Sequence, residues 1–242
     1  MRYADAMSQS PPASRMRSAS STIGTEQAPL LLVDNMLSNP EDLLRIAHDA
    51  PFTPAFTPAG GYPGLRAAAP RAYTDAMIRT LIGPVREAFG LGPVAVTKAE
   101  CAFSIVTLPP DRLTPPQRAP HVDSTDGHQF AILHYLSRAD HGGTAFYRHR
   151  ATGFETITDD RKDAFLAIRA QEGWAAGYVA DGEPWFEQTA EIDAAFNRVI
   201  VYRSNVLHSG RILAPQRLSP DPRLGRLTAN IFVTFSPVGD PA

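Results

Sequence analysis

The sequence feature that most constrains the fold is the triplet His121-Val122-Asp123 together with the distant His208. Side chains alternate between the two faces of a β-strand, so His121 and Asp123 are predicted to lie on the same side of a strand. His208 follows a strand-like run at 198–202, far along the chain. If the three residues form one site, strands that are distant in sequence must lie side by side in the fold.

Two imidazoles and one carboxylate are the ligand set of non-haem Fe(II) sites, which keep further coordination positions open. The triplet alone is weak evidence, because a chain with 7 His and 25 acidic residues contains such a triplet by chance. The order of the surrounding elements favours the metal interpretation. A strand, a Gly-Gly turn, the late histidine and a final strand that carries Arg226 follow the triplet. We therefore predict a metal site made by His121, Asp123 and His208.

The composition limits the class of protein. A chain of 242 residues with 43% hydrophobic residues can form one domain with a packed core. The net charge of −2 makes nucleic acid a poor partner, and the single Cys101 excludes an intramolecular disulfide. No stretch approaches the roughly 18 apolar residues of a membrane span, and the N-terminus lacks a signal-peptide core. We expect a cytoplasmic protein with a small-molecule or peptide partner and no nucleic-acid or membrane partner; the oligomeric state stays open.

The order of predicted elements indicates one domain behind an N-terminal tail. Residues 1–28 are rich in Ser, Ala and Pro and lack apolar periodicity, which predicts a disordered tail. Residues 29–242 are predicted to form a single domain that begins with a strand at 29–34, followed by two helices separated by a Pro- and Gly-rich loop at 51–70. Strand patterns then dominate, at 94–108, 129–137, 144–147, 185–191, 197–202 and 226–235. One further helix is predicted among them, near 159–171. Helices followed by many strands predict an α+β protein with an antiparallel barrel or jelly roll.

The last predicted strand has two different faces. One face is apolar, and the other carries Arg226, Thr228, Asn230, Phe232 and Thr234. In an ordinary surface sheet this second face would contact water. In a jelly roll covered by helices it would line an internal pocket, and Arg226 would then need an anionic partner, because a buried unpaired charge is costly. A bidentate contact to a dicarboxylate would provide that partner.

Five motifs in this order resemble those of the 2-oxoglutarate/Fe(II)-dependent oxygenases, particularly the prolyl-hydroxylase-like branch. The motifs are Pro120-His-Val-Asp123, His134-Tyr-Leu-Ser137, Gly142-Gly-Thr-Ala-Phe146, Tyr202-Arg-Ser-Asn-Val-Leu-His208 and Arg226-Leu-Thr-Ala-Asn-Ile-Phe232. The segments 62–66 and 207–211 also resemble a bacterial subfamily of that group whose function is unassigned. The resemblance implies a double-stranded β-helix (jelly roll) with N-terminal helices packed outside the barrel, and Fe(II) and 2-oxoglutarate as cofactors.

The resemblance also implies roles for residues other than the metal ligands. Tyr135 matches the tyrosine that binds the cosubstrate carboxylate, Arg226 matches the basic residue that pairs with the distal carboxylate, and Asn230 lies four residues further on. The spacing from His208 to Arg226 is about twice the family's usual one. Arg217 would fit the usual spacing but lies in Pro-rich sequence, and Arg211 is a third candidate.

The function implied is a 2-oxoglutarate- and Fe(II)-dependent dioxygenase that hydroxylates an unidentified small-molecule or peptide substrate. Related halogenases replace the metal-binding carboxylate with a small residue, so Asp123 implies hydroxylation or a related oxidation. Three alternatives stay open. One is a cupin-like metal enzyme, although the usual cupin cluster of His and Glu is missing. A second is a nucleic-acid demethylase, which the charge balance disfavours. The third is a non-catalytic jelly-roll binding module.

Overall fold

The computed structural model describes residues 15–58, 60–139, 141–180 and 183–238. Within these ranges it contains eleven β-strands, three α-helices and three short 3-10 turns. The strands are β1 Arg17–Ile23, β2 Ala28–Asp34, β3 Thr53–Thr57, β4 Gly60–Ala68, β5 Val94–Val106, β6 Gln129–Tyr135, β7 Thr144–His149, β8 Phe186–Ile192, β9 Arg198–Arg203, β10 His208–Gly210 and β11 Arg226–Pro237. The helices are α1 Pro40–His48, α2 Arg71–Phe89 and α3 Asp159–Arg169.

The strands form two antiparallel sheets. The large sheet has the order β1-β2-β9-β6-β11-β5-β4-β3, and the small sheet has the order β10-β7-β8. Strand β11, at the end of the described chain, lies between β5 and β6 and is paired with both along most of its length. The predicted α+β class, with a mostly antiparallel sheet and few helices, is confirmed. None of the described helices is long and apolar enough to cross a lipid bilayer.

The two faces of β11 contact different parts of the molecule. Its apolar face packs against the helices: Ile231 and Val233 share a buried cluster with residues of α2, and Leu227 shares one with residues of α1. Phe232, on the opposite face, packs toward residues of the small sheet. Arg226 on this second face is only 5% exposed. The polar face of β11 therefore lies inside the fold and does not contact bulk water as in an ordinary surface sheet.

Part of the predicted disordered tail is ordered, so the boundary at residue 28 is wrong. Strand β1 pairs with β2 over its whole length, from Arg17 opposite Asp34 to Ile23 opposite Ala28. Six of its seven side chains are exposed, which explains why the sequence lacks an apolar repeat there. Backbone pairing, which leaves no hydrophobic pattern, provides the order. Residues 1–14 of the predicted tail lie outside the described residues.

A buried carboxylate anchors the turn between β1 and β2. Glu155 accepts hydrogen bonds from the backbone N–H of Thr25, at 2.9 Å, from the Thr25 hydroxyl, at 2.8 Å, and from the N–H of Glu26, at 2.9 Å. Gly24 has φ +68°, and a Cβ there would lie 1.9 Å from Glu155 Oε2. The turn therefore needs glycine both for its conformation and for the space that the carboxylate occupies.

Replacing Glu155 with Ala should lower the free energy of unfolding by about 2 kcal/mol, because three hydrogen bonds to a charged acceptor are lost. Urea denaturation measures the change. Glu87→Ala, at an exposed position on α2, is the control and should stay within about 0.5 kcal/mol of wild type. Equal stability of Glu155→Ala and wild type would show that this carboxylate does not anchor the turn.

The predicted loop at 51–70 is a β-hairpin, so that prediction is wrong. Strands β3 and β4 pair with each other, and β4 also pairs with β5 from Gly64 opposite Val106 to Ala68 opposite Ala102. Pro63 lies where the β3–β4 register shifts, an irregularity at which a residue without a backbone N–H is tolerated. Pairing with a strand distant in sequence thus overrides the local preference of Pro and Gly for loops.

Candidate metal centre and its cavity

His121 and His208 are brought together by a backbone bridge between distant segments. The N–H of each residue donates to the carbonyl of the other, both at 2.9 Å. The N–H of Asp123 donates to the Ser204 carbonyl, also at 2.9 Å. The segment at 121–123 forms only this isolated bridge and not the regular strand that we predicted. Val122, between the two ligands, lines the same cavity and packs against the hydrophobic cluster that contains Leu207.

The three predicted ligands face one another. One potential ligand atom each from His121, Asp123 and His208 lies within 4.8 Å of the other two. The Nε2 atom of His121 is 3.8 Å from Asp123 Oδ1, and Nε2 of His208 is 3.5 Å from Asp123 Oδ2. Two imidazole nitrogens and a carboxylate at these separations form a donor set that can hold one divalent transition-metal ion.

Neighbouring groups prepare both imidazoles for a metal ion. The Nδ1–H of His208 donates to the Val206 carbonyl at 2.9 Å, which selects the tautomer with a free lone pair on Nε2. Partial enclosure by the cavity, helped by the nearby His208 and Arg66, lowers the pKa of His121 against the opposing effect of Asp123, although the His121 side chain is still 54% exposed. His121 is therefore neutral at physiological pH, which is the form that binds metal.

The three residues open into a cavity of about 420 Å³. Strands of both sheets contribute to its walls. Its polar lining includes Arg66, Gln117, Thr144, Tyr178, Tyr202, Arg226 and Asn230, and its apolar lining includes Pro63, Pro116, Leu133, Ile212 and Phe232. A cavity of this size, with few polar groups among apolar walls, is typical of a small-molecule site.

Arg226 is the arginine of the three candidates that lines this cavity. Its Nη2 donates to the Gly143 carbonyl at 2.7 Å, while its buried Nε has no partner among the described residues. Arg211 forms an ion pair with Glu191 at 3.3 Å and does not line the cavity. Arg217 is exposed at the end of a 3-10 turn at Pro215–Arg217. The geometry therefore favours Arg226 for binding an anion.

The other two predicted cosubstrate residues are placed differently from each other. Asn230 lines the cavity, and its buried Oδ1 has no partner among the described residues. Tyr135 does not line the cavity, and its hydroxyl is 2.7 Å from Oγ1 of Thr144. Thr144, and not Tyr135, lines the cavity here, so the direct cosubstrate contact expected for Tyr135 stays a prediction that its position does not favour. Burial raises the pKa of Tyr135 to about 12, so it stays protonated.

Sequence reasoning missed Thr144 and left Arg66 undecided between ordering a loop and covering the pocket. Thr144 stands directly after the Gly142-Gly143 turn, and that position was the available signal. Arg66 belongs to β4, where alternation with Tyr62 and Gly64 would have placed all three on one face. Assigning this segment to a loop concealed that alternation.

Comparison with solved structures finds proteins of similar fold. HygX from Streptomyces hygroscopicus, solved with nickel and 2-oxoglutarate bound, matches with a TM-score of 0.50 and 15% identity, over 86% of this chain and 84% of HygX. A 2OG-Fe(II) oxygenase family oxidoreductase from Burkholderia pseudomallei matches with a TM-score of 0.37 and 13% identity, over 81% of this chain and 78% of that one. A comparison with curated proteins finds no match. The similarity to HygX shows that the two proteins share a fold.

A model of a protein family also matches this chain. The model described as "Family of unknown function (DUF6445)" matches residues 14–233. The match includes the bridge between His121 and His208, strand β11 with Arg226, and the β3–β4 hairpin. Because it extends over most of the 242 residues, the chain belongs to the DUF6445 family.

Proposed function

We propose that this protein is a 2-oxoglutarate- and Fe(II)-dependent oxygenase that hydroxylates a small-molecule or peptide substrate. The observation that carries the proposal is that one cavity contains both His121-Asp123-His208 and the buried Arg226. A metal ligand set by itself would fit many functions. A guanidinium with an unpartnered Nε in the same cavity adds a site for an anion beside the metal.

The donor set fits Fe(II). Two imidazoles and one carboxylate would leave further coordination positions open for exogenous ligands, as in non-haem Fe(II) oxygenases. Backbone groups hold these ligands in place. The Val206 carbonyl orients His208, and two backbone hydrogen bonds join His208 to His121. His121, Asp123 and His208 would hold the ion.

The part of the cavity wall around Arg226 fits a dicarboxylate. Arg226 is buried and held by Gly143, so its guanidinium is already oriented before an anion arrives. Thr144 can donate its hydroxyl and Asn230 its amide N–H to the same carboxylate. Because the hydrogen bond from Arg226 to the protein uses Nη2, its Nε stays available for the ligand. These residues would hold the distal carboxylate of 2-oxoglutarate.

Bound Fe(II) and 2-oxoglutarate supply the oxidising chemistry, in which O2 converts 2-oxoglutarate to succinate and CO2 and one oxygen atom enters the substrate. The chain binds, orients and encloses the reactants. Asp123 completes the ligand set with a carboxylate and lies between the two histidines. It fills the position that a halide would need, which supports hydroxylation over halogenation.

The direct test is a binding and turnover assay. Purified protein under anaerobic conditions should bind about one equivalent of Fe(II) and then one of 2-oxoglutarate, measured by calorimetry. Admission of O2 should produce succinate, and the rate should rise when pooled amino acids, peptides or cell extract are added. A protein that binds neither ligand is not such an oxygenase. Binding without succinate formation would favour the non-catalytic binding module.

Asp123→Ala should lose most succinate formation, because it removes one ligand and one negative charge from the metal site. Under labelled O2 in chloride buffer, the wild-type product should carry labelled oxygen and no chlorine, measured by mass spectrometry. Asp126→Ala, at an exposed acid three residues further along, is the matched control and should keep metal binding. Full turnover by Asp123→Ala, or a chlorinated wild-type product, would contradict this role of Asp123.

A further inference from the structure

The cavity contains a second arginine that neither the metal site nor the proposed cosubstrate site uses. Arg66 lies on β4, and its guanidinium carbon is 4.7 Å from the centre of the Tyr62 ring. No carboxylate of the described residues forms an ion pair with it, and its buried Nε has no hydrogen-bond partner among them. A cation of this kind, facing a cavity, is expected to meet a ligand.

The sheet register places Arg66 on the same inner face as Arg226 but at a different position. Arg66 pairs with Ser104 of β5, and Ser104 pairs with Thr228 of β11. Directly paired residues point to the same face, so Arg66 lies on the inner face with Arg226. Two strand spacings of ~4.8 Å across the sheet and one two-residue step along it put the backbones of Arg66 and Arg226 about 12 Å apart. The proposed cosubstrate site uses Arg226, so Arg66 is available to another molecule.

Arg66 shares its cavity with the three metal ligands, because His121, Asp123 and His208 line the same walls. Gln117 and Tyr178 also line this cavity: the Gln117 amide donates to the Gly61 carbonyl at 3.0 Å, and the Tyr178 hydroxyl donates to the Leu108 carbonyl at 2.6 Å. These contacts hold the two side chains in place. A molecule bound by Arg66 would lie in the same cavity as the metal.

The charges of the cavity favour an anion at Arg66. Within the described part of the chain, Asp123 is the one acidic residue that lines the cavity, against two arginines. Fe(II) adds two positive charges and 2-oxoglutarate two negative charges, while the metal-bound histidines are neutral. The fully loaded cavity therefore keeps one net positive charge. A ligand with a single negative charge would neutralise it.

We propose that Arg66 binds the carboxylate of a monoanionic organic substrate and so selects acids over their neutral or cationic analogues. The inference rests on the proposed oxygenase function and adds the substrate class. The guanidinium can form two parallel hydrogen bonds to a carboxylate, with Nε as one of the donors. Pro63, Pro116, Ile212 and Phe232 form apolar walls in the same cavity for the remainder of such a molecule. Arg66 acts as a specificity-determining residue.

The test uses a matched series of probes on protein loaded anaerobically with Fe(II) and saturating 2-oxoglutarate, so that Arg226 is occupied. The probes are propanoate, hexanoate and 3-phenylpropanoate, with the primary amide and the amine that correspond to each. Calorimetry should show that at least one carboxylate binds tenfold or more tightly than its amide, and that its amine does not bind. Arg66→Gln should remove this preference, and Arg66→Lys should restore part of it because a point charge replaces the guanidinium fork.

Arg71→Gln is the control for loss of a positive charge, since the Arg71 side chain is 94% exposed. It should bind all probes as wild type does. Equal binding of acids and amides, no acid binding at all, or unchanged acid affinity in Arg66→Gln would each overturn the substrate class. Wild-type protein that fails to bind Fe(II) and 2-oxoglutarate before any probe is added would overturn the proposed function itself. The two failures are therefore distinguishable.

Discussion

Replacing His208 with Ala should abolish tight Fe(II) binding and, with it, all succinate formation. His208 supplies one of three protein ligands, and its Nε2 is oriented by the hydrogen bond from Nδ1–H to the Val206 carbonyl. The two remaining ligands, His121 and Asp123, are too few to bind the ion tightly. Anaerobic titration with Fe(II), followed by metal analysis after gel filtration, should show about one equivalent in wild type and almost none in His208→Ala.

His128→Ala is the matched control, because His128 is exposed and does not line the cavity. It should keep one equivalent of Fe(II). Far-UV circular dichroism should show that His208→Ala is folded, which separates loss of a ligand from loss of structure. If folded His208→Ala retains a full equivalent of iron, the metal is bound elsewhere and the assignment of His121, Asp123 and His208 is wrong.

Replacing Arg226 with Ala should weaken 2-oxoglutarate binding by on the order of 100-fold or more, a few kcal/mol, because the ligand carboxylate would be buried without its partner. Arg226→Lys should recover part of the affinity, since an ammonium cannot reproduce the guanidinium fork. Calorimetric titration of the Fe(II)-loaded protein without O2 measures these affinities. The large effect is expected because Arg226 is almost fully buried and is oriented by the Gly143 carbonyl.

Arg217→Ala is the control for Arg226, and it also tests the alternative assignment. Arg217 is exposed on its 3-10 turn, so the substitution should leave 2-oxoglutarate affinity within about twofold. A large loss in Arg217→Ala with little effect in Arg226→Ala would show that the carboxylate binds outside the cavity described here. Fe(II) stoichiometry should stay at one in both variants, because neither residue is a metal ligand.

Several elements could be predicted from local sequence because their signals are local. The alternation of apolar and polar residues in 226–235 corresponds to strand β11, and the pattern at 159–171 corresponds to helix α3. Two other segments could not be predicted in this way. Strand β1 has six exposed side chains, and β4 contains Pro63 between glycines; both owe their conformation to partner strands elsewhere in the chain.

The candidate site likewise has features that local sequence predicts and features that depend on distant strands. The sequence by itself determined which side chains can hold a metal ion and an anion, because His121, Asp123, His208 and Arg226 carry that chemistry wherever the chain places them. The backbone pairing of distant strands is what places Arg226 in the cavity wall and Arg217 and Arg211 outside it, lines the cavity with Thr144 in place of Tyr135, and brings Arg66 into the same cavity. The physical reason is that chemical identity belongs to a residue, whereas burial and proximity arise from backbone pairing between strands far apart in the sequence.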